Sequence, residues 1–122
     1  MPRDVEVESA EFEDANVALL LLERLARTRL GVGDAEGAVV ALQRAVAIAR
    51  ADLDRGELED PMRAAALFSA KLGDARVHAG DLDGAHRAFS EAVALTPPGA
   101  ERSRLLSQIA TVERAGGRSG ST

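Results

Sequence analysis

A chain of 122 residues is enough for one domain of about four or five helices and too short for separate catalytic and regulatory lobes. With 46% hydrophobic residues but only 2% aromatics, and no Trp or Tyr, the core must be filled by Leu, Val, Ile and Ala, and the lack of strand-forming residues points to an all-α fold. The net charge of −5 argues against phosphate-driven nucleic-acid binding, and the absence of Cys excludes disulfides, thiolate metal sites and cysteine nucleophiles.

Residues 1–12 read as a flexible leader, too acidic and too poor in apolar residues for a signal peptide; the VEVE alternation at Val5 to Glu8 is too brief and too charged to predict a strand. Asp14 then caps a first helix in which Val17, Leu21, Leu22, Leu25 and Arg29 recur at helical spacing and define the predicted buried face. Its longest apolar run, Val17 to Leu22, falls far short of the ~20 residues a membrane span requires, so a soluble, cytoplasmic protein is expected.

The GVGD sequence, Gly31 to Asp34, stops that helix and caps the next, making a tight hairpin. The second helix runs from about Ala35 through Ala38, Leu42, Ala45, Val46 and Ile48 toward Asp54, with Gly56 as its stop. Asp60-Pro61 opens a third, to about Ala79, that buries Ala65, Phe68, Leu72 and Ala75. Gly80-Asp81 repeats the earlier stop and cap. A fourth helix carries Ala85, Ala88, Phe89, Ala92, Val93 and Leu95 before Thr96-Pro97-Pro98-Gly99 ends it. A fifth, Ala100 to about Ala115, places Leu105, Leu106, Ile109 and Val112 on one stripe, and residues 116–122 read as a disordered tail.

Sliding the chain by 47 positions aligns GDAEGAVVALQRAVAI with GDLDGAHRAFSEAVAL, eight identities in sixteen ungapped positions. Self-similarity at such a period is the mark of stacked supersecondary units. The two outer starts, Glu13-Asp14 and Glu59-Asp60, lie 46 residues apart, which implies a one-residue difference between the copies.

Gly73, Gly80, Ala85, Phe89, Ala92, Leu95 and Pro97 fall at the spacings of the tetratricopeptide repeat, and Ala26, Gly33, Ala38, Leu42, Ala45 and Ile48 fill the same slots one copy earlier. The chain therefore resembles that family over roughly residues 14–115, with a domain at 13–115 divided into repeats at about 14–56 and 60–97 and a capping helix at about 100–115. The resemblance implies antiparallel helical hairpins stacked as a short right-handed solenoid. The period exceeds the usual ~34 residues, with the excess assigned to a lengthened second and third helix. The family's aromatic early in helix A is replaced by Leu22 and Ser69, its Tyr by Arg29 and Arg76, and its closing proline in the first copy by Arg50, so smaller and more polar packing is expected there. The stretch from Asp60 onward is also similar to repeat segments of large bacterial signalling proteins, including serine/threonine kinases.

In that family the A helices line a concave groove that binds a peptide or helix of a partner. The resemblance places Leu20, Glu23, Arg27 and Leu30 there from the first helix. Leu67, Ala70, Lys71, Asp74, Val77 and His78 come from the third, with Arg104 and Gln108 from the fifth. Relatives that clamp a peptide carboxylate use Lys and Asn at two of these slots; Glu23 and Arg27 stand there instead, against a chaperone-tail role.

No catalytic constellation is legible, and neither cofactor nor metal is expected. Asp74 with His78, and Asp83 with His86, share helix faces, but a carboxylate-bridged di-metal bundle needs Glu-x-x-His twice and further Glu. The acidic run Asp52 to Asp60 puts Glu57 and Arg63 where a calcium loop needs Gly and Glu, and reads as a solvated inter-repeat turn. The glycine-rich stretches lack the P-loop lysine. A non-catalytic module for a protein or peptide partner is expected, without nucleic acid or membrane. Homo-oligomerisation is the alternative, because Leu19 to Leu22 is apolar on more than one helix face.

Overall fold

A computed structural model describes residues 14–116; the leader expected at 1–12 lies outside them, as does the tail expected at 116–122 except Gly116, which ends the last helix. Among the described residues five helices follow one another: α1 Ala15–Gly31, α2 Ala35–Arg55, α3 Pro61–His78, α4 Leu82–Ala94 and α5 Ala100–Gly116. No strand occurs among the described residues, and each helix packs on the next in the chain.

The helix starts are set by short-range chemistry. An Asp stands at the N-cap of each of the first four helices, where its carboxylate accepts orphan backbone N–H groups: Asp14 from Asn16 at 3.0 Å, Asp34 from Gly37 at 2.9 Å, Asp60 from Arg63 at 3.1 Å and Asp81 from Gly84 at 2.9 Å. Each such cap contributes about 0.5–2 kcal/mol. Both hairpins turn through a left-handed glycine, Gly33 at φ 85° and Gly80 at φ 82°. Asp34 N–H then returns to the Arg29 carbonyl at 2.7 Å, and Asp81 N–H to that of Arg76 at 2.8 Å.

The same turn gives Arg29 and Arg76 a structural role. The Arg29 Nη1 donates to the Gly37 carbonyl at 3.1 Å, and the Arg76 Nη1 to the Gly84 carbonyl at 3.0 Å. A Cβ on Gly37 would lie 2.7 Å from the Asp34 Cγ and 2.8 Å from the Arg29 Cδ, and one on Gly84 would meet Asp81 and Arg76 in the same way. Cap, glycine and arginine therefore form one tightly fitted unit, used twice. The in-register ends Gly31 and His78, with starts at Ala15 and Pro61, make α3 one residue longer than α1, as the offset of the two copies requires. The second helix, at 21 residues, is the longest of the five.

Small side chains dominate the interior. Ala38, Ala45, Ala49, Ala65, Ala75, Ala85 and Ala92 are completely buried, which lets neighbouring backbones approach closely. The larger cluster joins the first four helices through Leu19, Leu22, Leu42, Phe68, Leu72 and Ala88, and the smaller joins α4 to α5 through Phe89, Leu105 and Val112. Ser69 is buried with no hydrogen-bond partner for its hydroxyl among the described residues.

Three expectations need correction. The buried face of α1 is Ala15, Ala18, Leu19, Leu22 and Ala26, whereas Val17 is 42% exposed and Leu21 and Leu25 are half-buried. The three alanines allow a closer approach to α2 than the bulkier stripe, so the helix is rotated toward them. On α5 Leu106 is exposed while Leu105 and Val112 are buried, because only α4 covers this helix extensively.

The third correction concerns the acidic turn. Asp52 is only 1% exposed, and its two oxygens accept the backbone N–H groups of Glu57 at 3.0 Å and Leu58 at 2.7 Å. Those bonds replace the water lost on burial and pin Leu58 into the core, so Asp52 and Leu58 anchor a turn whose other residues from Leu53 to Asp60 are exposed as expected.

Candidate functional site

Helical spacing aligns the candidate residues before any packing does. Leu20, Glu23 and Arg27 are three and four apart along α1; Leu67, Lys71, Asp74 and His78 repeat the pattern along α3, and Arg104 and Gln108 along α5. Because alternate helices of the stack share a side, these three stripes come together.

The Lys71 Nζ reaches across from α3 to the Glu23 Oε2 at 3.1 Å, and the Arg27 Nη2 contacts the same oxygen from α1 at 3.3 Å. On the other side of α3 the Gln108 Nε2 donates to the Asp74 Oδ1 at 3.4 Å. These side chains span α1 to α3 and α3 to α5, whereas the extensive packing runs only between consecutive helices. Leu20 at 49% exposure, Leu67 at 50% and Val77 at 40% provide apolar surface on the same helices.

Among the described residues Asp74 is a carboxyl whose acidity its surroundings shift. Partial burial raises its carboxyl above the ordinary range, opposed by the nearby charges of His78, Lys71 and Arg104. His78 does not meet the Asp74 carboxylate: its Nδ1 lies 2.9 Å from the Asp74 backbone carbonyl. Arg104 is held by Glu101 on its own helix, at 2.8 Å. Exposed pairs of this kind each contribute at most about 1 kcal/mol. They hold charges of both signs on the same helices as the apolar surface.

Not every expected lining residue is available. Leu30 is partly buried against the main core, and Ala70 packs on the α4–α5 cluster. The other helix-face pair, Asp83 and His86, is also not joined: His86 Nε2 lies 3.0 Å from the Glu113 Oε2 of α5. Among the described residues there is no group of three or more His, Cys, Asp or Glu placed to hold a metal ion. None of their helices is long and apolar enough to cross a membrane.

No family model, curated protein or solved structure matches the chain.

Two features, one in the site and one outside it, lay beyond the sequence reading. The Asp74–Gln108 link joins residues 34 positions apart with no motif to signal it. The burial of Asp52 had one available signal: a carboxylate four residues before Gly56, at a helix end, is placed to cap the loop that follows.

Proposed function

We propose that the chain is a non-catalytic protein-interaction module of the tetratricopeptide type, a short right-handed solenoid that binds a peptide or helix of another protein along α1, α3 and α5. The observation that carries the reading is the interhelical Glu23–Lys71 pair, with Leu20 and Leu67, one repeat apart in the sequence, half-exposed on the same two helices. An amphipathic helix fits this surface, its apolar residues covering the leucines and its charged residues exchanging with Glu23, Arg27 and Lys71. The resemblance to repeat segments of bacterial signalling proteins favours a scaffolding or regulatory role.

The test compares wild type with Leu20→Glu/Leu67→Glu and with a Glu23→Lys/Arg27→Glu/Lys71→Glu reversal in affinity capture from the native lysate. The segment of the captured partner is then titrated as a peptide into isotope-labelled protein. Loss of the partner in both variants, with amide shifts confined to α1, α3 and α5, is expected. Unchanged capture, or shifts centred on α2 and α4, rejects the face.

Self-association is a second reading, favoured by the exposure of Val17 and Leu20 on the first helix of the stack. Light scattering over a concentration series decides it, since a monomer at the highest concentration removes the idea.

A further inference from the structure

The charges of this chain are segregated by helix. Although the whole chain carries −5, α1, α3 and α5 together hold nine Arg or Lys against four Asp or Glu, a net +5, while α2 and α4 hold four against five. Three of the nine are engaged inside the fold: Arg29 and Arg76 on the turn carbonyls of Gly37 and Gly84, and Arg102 on the Thr96 carbonyl at 3.3 Å. One of the four carboxylates, Glu113, contacts His86 of α4. Six cations therefore remain on these three helices against the carboxylates of Glu23, Asp74 and Glu101.

Those carboxylates do not balance the cations around them. Glu23 shares a single oxygen between Arg27 and Lys71, so one acid serves two bases. Asp74 has Lys71, His78 and Arg104 nearby, and Glu101 holds Arg104. The Arg27 and Arg104 side chains are still 73% and 71% exposed in their pairs. Arg24 and Arg63 are exposed one helical turn from Leu20 and Leu67, which are themselves half-exposed.

Resting on the interaction reading above, we propose that the segment bound along α1, α3 and α5 is an acidic amphipathic helix, its apolar residues on Leu20, Leu67 and Val77 and its carboxylates toward Arg27, Lys71 and Arg104. A partner of opposite charge relieves the mutual repulsion of these cations, and the apolar contact excludes water from the new ion pairs and so strengthens them. A basic helix would place like charges across the interface. A nucleic acid would meet the same cations without a stacking platform, since the chain has no Trp or Tyr and Phe68 and Phe89 are buried.

Two synthetic peptides of about 18 residues, five helical turns, share one leucine stripe and differ only in carrying Glu or Lys at the same polar positions. Titrated into isotope-labelled full-length protein, the Glu peptide should shift amides of α1, α3 and α5. It should bind at least about tenfold more tightly than the Lys peptide, an advantage that shrinks as salt rises. Arg27→Glu/Arg104→Glu should reverse the preference with helicity unchanged; if helicity falls, Arg27→Gln/Arg104→Gln should still narrow it. Equal binding on these helices, a preference for the Lys peptide, or a preference unmoved by the arginine variants overturns the acidic assignment and leaves the interaction face standing. Binding of neither peptide overturns the proposal, and shifts centred on α2 and α4 overturn the face with it. Displacement of the Glu peptide by a single-stranded oligonucleotide also overturns it, since a nucleic acid would then be the occupant.

Discussion

Gly73 and Phe89 pack as a size-matched pair, and exchanging their sizes is the sharpest test of the repeat. A Cβ on Gly73 would sit 2.7 Å from the Phe89 Cε1 and 2.8 Å from both Cδ1 and Cζ, whereas carbon atoms rest at about 3.5–4.0 Å. Gly73 lies mid-helix in α3 and the ring is 1% exposed, so neither can move aside easily. Overpacking of this kind costs about 1–3 kcal/mol, and replacing a helical Gly by Ala returns about 1 kcal/mol of propensity. Gly73→Ala is therefore expected to lower stability by about 1 kcal/mol, despite being a change that stabilises most helices.

One copy earlier the corresponding pair is Ala26 and Leu42, both buried in one cluster. Phe89→Leu alone should cost roughly 1–2 kcal/mol through lost burial and a cavity. Gly73→Ala/Phe89→Leu recreates the first copy's pair. It should be more stable than the sum of the single changes by about 1 kcal/mol or more, a coupling typical of residues in contact. Urea unfolding followed by far-ultraviolet circular dichroism measures all four proteins, with a constant slope as the check on two-state behaviour. Strict additivity, or a Gly73→Ala protein more stable than wild type, would show that the ring does not select the glycine.

Removing the Asp52 carboxylate with Asp52→Ala strands the Glu57 and Leu58 N–H groups and should cost about 2–4 kcal/mol; Asp52→Asn, which keeps one acceptor, should cost less, and hydrogen exchange at Leu58 should accelerate in both. Arg29→Ala and Arg76→Ala each lose one bond to a buried-side carbonyl, at 3.1 Å and 3.0 Å, and should destabilise by similar amounts of about 1 kcal/mol that add in the double variant, read in the same urea assay. Asp74 binds its proton more tightly folded than unfolded, so its contribution to stability falls as pH rises from the ordinary carboxyl range through its raised folded value. Asp74→Asn should abolish that slope in the difference between the two stability profiles and be no less stable than wild type at neutral pH; a difference independent of pH would contradict it.

Sequence alone determined the helices, their caps, the hairpin glycines and the duplicated plan, because each rests on contacts within about four residues of chain. Asp14, Asp34, Asp60 and Asp81 could be read as caps since a carboxylate before a helical run has its partner two or three positions ahead. The alignment of Leu20, Glu23 and Arg27 along one helix, and of Leu67, Lys71 and Asp74 along another, follows from the same periodicity. What only the tertiary structure decided is which face each helix turns inward and what lies across from it. In an alanine-rich chain the apolar stripe is weakly contrasted, so the face of α1 is set by how closely Ala15, Ala18 and Ala26 let α2 approach, leaving Val17 outside. The burial of Asp52, the reach of Arg29 and Arg76 into the next helix, and the bridges from Lys71 to Glu23 and from Gln108 to Asp74 depend on distances between helices, and no local spacing encodes those.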